Sequence, residues 1–65
     1  MLINYKLKGH GVFDIIIDNE AVGTITRQFI GHRGMQMWVA VRYNGNGYLY
    51  EGYTKYHAVK KMLRN

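Results

Sequence analysis

Residues 35–42 read Met35-Gln36-Met37-Trp38-Val39-Ala40-Val41-Arg42, and their alternation decides the fold class. On a strand, successive side chains point to opposite faces, so odd and even positions separate into two rows. The odd row, Met35, Met37, Val39 and Val41, is wholly apolar. The even row, Gln36, Trp38, Ala40 and Arg42, is polar around one large aromatic. This is the pattern of an antiparallel strand with one buried and one solvated face. It predicts that the odd row meets the core and that Trp38 and Arg42 stand on an exposed sheet face.

The same periodicity extends towards the N-terminus. Residues 2–8 alternate Ile3, Tyr5 and Leu7 with Asn4, Lys6 and Lys8, a short strand whose lysines suit a sheet edge. Gly9-His10-Gly11 is a turn, and Val12–Ile17 is the next strand. Asp18-Asn19-Glu20 closes a hairpin into a third strand over 21–29, rich in β-branched residues. Val22 and Ile25 have opposite parity there, yet both are core residue types. A bulge near Gly23 reconciles them and leaves the facing of Arg27 open. Residues 30–34 form a polar loop containing Gly31-His32-Arg33-Gly34.

Beyond the central strand, Asn44-Gly45-Asn46-Gly47 signals a hairpin, with a brief returning strand over 47–50. A helix follows over 54–64, with Thr54 as its N-cap. At about 100° per residue, Tyr56, Ala58, Val59, Met62 and Leu63 share one side, and His57, Lys60, Lys61 and Arg64 the other. The expected fold is α+β: an antiparallel meander of four or five strands with one C-terminal helix packed on one face.

Sixty-five residues make one small domain with room for a single core. Hydrophobic content of 48% and aromatic content of 14% argue for a folded chain. The absence of cysteine removes disulfides, thiolate zinc sites and thiol nucleophiles together. No run is apolar enough to span a membrane, and the first residues lack the pattern of a signal peptide, so a cytoplasmic protein is expected. The net charge is +5 and unevenly spread: from Ala21 onward seven basic residues face Glu51 alone. Such a field attracts polyanions, whether nucleic acid, an acidic protein surface or anionic lipid, although lysine and arginine also serve solubility. Membrane-surface binding is disfavoured, because the apolar side of the helix is needed to cover the sheet.

Catalytic and metal-binding signals are weak. His10, His32 and His57 show no ligand-like spacing, and the glycine-rich stretches lack the lysine-serine ending of a phosphate loop. Glu51 with His57 is the only acid–base pair that can be proposed, with no nucleophile beside it. Neither an enzyme nor a bound cofactor is expected. The tyrosines after the central strand, Tyr43, Tyr48, Tyr50 and Tyr53, fit ordinary strand propensity and core filling. They also fit an aromatic binding surface interleaved with Arg42 and Lys55.

The succession of the Asp18-Asn19-Glu20 turn, Val22-Gly23-Thr24-Ile25, the Trp38 strand, a glycine turn, and Gly52-Tyr53-Thr54 opening Ala58-Val59 and Met62-Leu63 resembles a known type. It is similar to the small sheet-plus-helix DNA-binding domains of the plant ethylene-response-factor (APETALA) type and of phage tyrosine-integrase arms. In those domains the sheet face away from the helix enters the major groove. The resemblance implies that Trp38 and Arg42, with Gln36 and Arg27, lie at a DNA interface. The short single domain also resembles small phage or mobile-element proteins, many of which bind host proteins.

Two functions are therefore expected. The first is a nucleic-acid-binding module using Arg27, Arg33, Gln36, Trp38, Arg42, Lys60 and Lys61. The alternative is a protein-interaction module, such as a phage-type modulator of a host protein, using the same aromatic and basic face. Self-association into a homodimer through the sheet belongs to this second reading.

Overall fold

A computed structural model describes residues 2–30 and 34–64, with Ile30 by its backbone. The polar loop expected over 30–34, with His32 and the candidate Arg33, lies mostly outside the described residues. The chain forms β1 (Ile3–Gly9), β2 (Val12–Ile17), β3 (Glu20–Ile30), β4 (Met35–Arg42), β5 (Tyr50–Gly52) and α1 (Lys55–Arg64). The strands make one antiparallel sheet in the order β1-β2-β3-β4-β5, an uninterrupted meander with the lysine-bearing β1 at one edge.

The turns follow from local chemistry. Asp18 and Asn19 both adopt positive φ, at 51° and 69°, the geometry of a two-residue hairpin whose twist matches the flanking strands. Asp18 also ties down the start of β1: its carboxylate accepts the Leu2 N–H, and its own N–H donates to the Leu2 carbonyl. In β3 the register slips beside Val22, because Ile15 pairs with Gly23 while Ile16 pairs with Ala21. The expected bulge is there, and it lets Val22 pack against the core alongside Ile25.

The return after β4 differs from the sequence-based expectation. Pairing resumes only at Tyr50, opposite Ala40, so seven residues, 43–49, bridge β4 and β5 where a tight turn and a strand over 47–50 were expected. Tyr43 instead extends the β3 pairing, donating its N–H to the Val22 carbonyl. That contact carries the chain past the point where the asparagine-glycine pairs could close a hairpin. The helix begins as expected: the Thr54 hydroxyl accepts the His57 N–H at 3.1 Å, capping α1.

The core lies between α1 and the sheet. Ile15, Ile25, Ala40, Ala58, Val59 and Met62 are fully buried in one cluster, with Ile3, Tyr5, Phe13, Trp38 and Tyr50 among the partly buried residues around it. The helix-facing row of β4 is therefore the even one, and the expected facing of this strand is reversed. The reason is steric. Gly52, beside Trp38 in the register, lies so close to the helix that an added Cβ would sit 2.5 Å from the Ala58 nitrogen. A helix at that distance needs small residues beneath it, and Ala40 supplies one in β4. The odd row still finds shelter, since Val39, with Thr26 and Glu51 as its register partners, is only 2% exposed. On α1, Tyr56 was expected on the core side and is instead 56% exposed. Lys55, Ala58, Val59 and Met62 make the inward stripe, at the i, i+3, i+4, i+7 spacing of one helix face.

Candidate nucleic-acid interface

The helix starts level with Trp38 and ends beside Arg42, so it covers only part of its sheet face. β3 runs eleven residues, about 36 Å at 3.3 Å per residue, whereas the ten-residue helix spans about 15 Å. The register puts Leu7, Phe13, Arg27, Phe29, Gln36 and Trp38 on the helix side. Near the helix N-terminus and beyond it, they form a shelf. Phe29 is 71% exposed and Leu7 64%, large apolar side chains with no helix over them.

Three rings close the inner end of this shelf. The Lys55 ammonium lies 4.5 Å from the Phe13 centroid, 5.0 Å from Trp38 and 5.1 Å from Tyr5. A cation over aromatic faces is attracted by their negative quadrupoles, and sharing three rings fixes all four side chains relative to one another. Phe13 and Trp38 meet at 6.3 Å with planes tilted by 59°, an arrangement that aromatic pairs favour. Burial raises the Tyr5 phenol above its ordinary value, so this ring stays neutral beside the ammonium. Beyond the rings lies an open cleft of 390 Å3 lined by His10, Gly11, Phe13, Thr26, Arg27, Phe29 and Trp38.

Charge is segregated around the shelf. Asp18 and Glu20 lie at the β2–β3 hairpin, at the opposite end of the sheet. Asp14 and Glu51 alternate with the core residues Ile15 and Tyr50, so both lie on the face away from the helix. There the Tyr43 hydroxyl donates to the Asp14 carboxylate, and the Lys8 ammonium donates to the Tyr43 oxygen at 3.4 Å. The helix itself, KYHAVKKMLR, carries no acid. Glu20 pairs with Ile17 and so shares the helix side, but at the hairpin end; among the described residues, the shelf itself carries Arg27 and no carboxylate.

The expected site residues divide accordingly. Arg27, whose facing the sequence left open, lies on the helix side directly opposite Trp38 and is exposed. Gln36 pairs with Phe29 and is also exposed on the shelf. Trp38 belongs to the shelf but is half-buried against the core, not standing on an open face. Arg42 is displaced from the group by about 13 Å along β4. Its guanidinium donates to the Met62 carbonyl at 2.8 Å, satisfying one of the last carbonyls of α1. The expected exposed face around Trp38 and Arg42 is thus corrected: both side chains point towards the helix.

Lys60 and Lys61 are exposed on the outer surface of α1, and the Lys60 ammonium lies 5.7 Å from the Tyr56 ring. Sequence reasoning gave Phe13, Phe29 and His10 no role at a site. It placed Lys55 only within a loose tyrosine surface. The signal for Lys55 was its spacing, since it precedes Ala58, Val59 and Met62 by three, four and seven residues. No helix among the described residues is long and apolar enough to cross a membrane. Comparison with family models, curated proteins and solved structures gives no match.

Proposed function

We propose that this chain is a nucleic-acid-binding module that uses its helix-side surface, not the sheet face away from the helix. The observation that carries this reading is the segregation of charge around the shelf. Arg27, Lys55 and the basic outer surface of α1 flank exposed aromatics, while all four acids lie at the far hairpin or on the opposite face. Phosphate neutralisation by such cations supplies affinity, and the aromatic side chains supply contact with bases. The face away from the helix is the poorer candidate, because its cations Lys6 and Lys8 stand beside Asp14, with Glu51 on the same face.

The test is a titration with mixed-sequence nucleic acid at low and moderate salt, followed by the emission of Trp38, the only tryptophan. The reading expects saturable binding that weakens steeply with salt, because bound phosphates release counterions. Arg27→Ala should weaken binding and lower the slope of log affinity against log salt by about one. The exposure of Leu7 and Phe29 gives the second reading, a protein-interaction module, its own support. Binding that tolerates salt, to protein and not to nucleic acid, would favour that alternative.

A further inference from the structure

Resting on the nucleic-acid reading, we infer that the cleft between Phe29 and the Phe13–Trp38 pair takes one unpaired base of a single strand. Three features converge on this ligand. The cleft, at 390 Å3, lies at the lower end of the range of about 300–1,000 Å3 typical of small-molecule sites. Phe13, Phe29 and Trp38 bring three aromatic rings to its walls, and Arg27, His10 and Thr26 stand among them with side chains able to hydrogen-bond a base or its phosphate. Lys55 occupies the three-ring cage yet does not line the cleft, so the cation stiffens the rings without filling the space beside them.

A duplex fits these features poorly. Within a duplex each base face is covered by its neighbours, and only base edges reach the grooves, where side-chain donors and acceptors read them. Recessed aromatics such as Phe13 and Trp38 have nothing to stack on there. An unpaired base offers a whole π-face and can enter a concave site, which is how aromatic platforms hold single strands. Phe29, the most exposed large apolar residue among those described, stands at the mouth to stack on it. Arg27, opposite Trp38, is placed for the adjoining phosphate. The cleft is lined by Arg27 and by no carboxylate, which matches the charge of the strand.

The experiment measures anisotropy of a labelled mixed-sequence strand of about 10 nucleotides, within the range one small module covers, and of the same sequence as a duplex. It is run on the wild type, Phe29→Ala and Phe29→Tyr. Phe29 is largely exposed, so neither substitution threatens the core. The expected result is preference for the single strand, a loss of about 5- to 150-fold with alanine, and retention with tyrosine, which keeps the π-face. Equal affinity for both forms, or a single-strand preference indifferent to Phe29→Ala, would overturn the assignment while leaving nucleic-acid binding intact. Binding of neither form would overturn both readings.

Discussion

Arg42 shows how one side chain can be legible in type and misread in role. An arginine in the same row of a strand as a tryptophan invites an interface assignment, but this guanidinium is spent on the Met62 carbonyl. Its contribution belongs to stability. Arg42→Ala should lower unfolding free energy by about 1.5–3 kcal/mol, the range for hydrogen bonds to charged groups, measured by urea denaturation. Nucleic-acid affinity of the folded variant should stay near wild type, in contrast to Arg27→Ala. Lys55 is the converse case, a residue that composition hides and geometry reveals. Lys55→Ala should cost about 1–2 kcal/mol and alter Trp38 emission, because one ammonium serves three rings. Tyr5, the outermost of these rings in sequence, adds a pH dependence. Burial raises its folded value, whereas the unfolded phenol ionises near pH 10, so its share of stability is intact below that pH and is lost as pH climbs through the higher folded value. Urea midpoints followed upward from neutral pH should fall more steeply at the alkaline end for the wild type than for Tyr5→Phe. Identical profiles would exclude this linkage.

At the scale of elements, the positions of β1 to β4 and of α1 were legible because period-two alternation, turn residues and the Thr54 cap all agree locally, whereas β5 lies at Tyr50–Gly52 and not over 47–50. The facing of β4 was not. Both of its rows hold buried residues, Val39 in one and Ala40 in the other, so hydrophobicity could not decide between them. Size could have. The helix approaches over Ala40 and Gly52, and a close-packed helix selects the row with small residues, not the row with the larger aliphatics. The loop over 43–49 was misread for a related reason: its asparagine-glycine pairs promise a hairpin, but Tyr43 is already committed to Val22. Gly52→Ala tests the close approach, since its new Cβ would meet the Ala58 nitrogen and lie 2.8 Å from the His57 Cβ. The helix must shift to admit it, and a loss of about 1–3 kcal/mol is expected from overpacking. Thr54→Ala, by contrast, removes only the cap and should cost about 1 kcal/mol without moving the helix. The emission of Trp38, which pairs with Gly52, separates the two: it should change with Gly52→Ala and not with Thr54→Ala.

Over the whole molecule, composition announces a basic protein but not where the charge acts. That depends on the meander, which sends the β2–β3 hairpin with Asp18 and Glu20 to one end and Arg27 towards the other. The seven residues from Glu20 to Arg27 separate these groups by about 20 Å along β3. The Debye length is about 8 Å at physiological ionic strength and about 30 Å at 0.01 M. If nucleic acid binds at the shelf, the hairpin acids should be screened from it at physiological salt and felt only when salt is low. The double variant Asp18→Asn, Glu20→Gln raises the net charge by two, and the asparagine amide keeps a side-chain oxygen to accept the Leu2 N–H. Its affinity should match the wild type within about twofold at 0.15 M and exceed it clearly at 0.01 M. Removing two helix-side cations, by Arg27→Gln with Lys60→Gln, should weaken binding at both salts. A hairpin variant that gained as much at 0.15 M as at 0.01 M would show the ligand reaching the far end of the sheet, and the charge segregation would then lose its functional meaning.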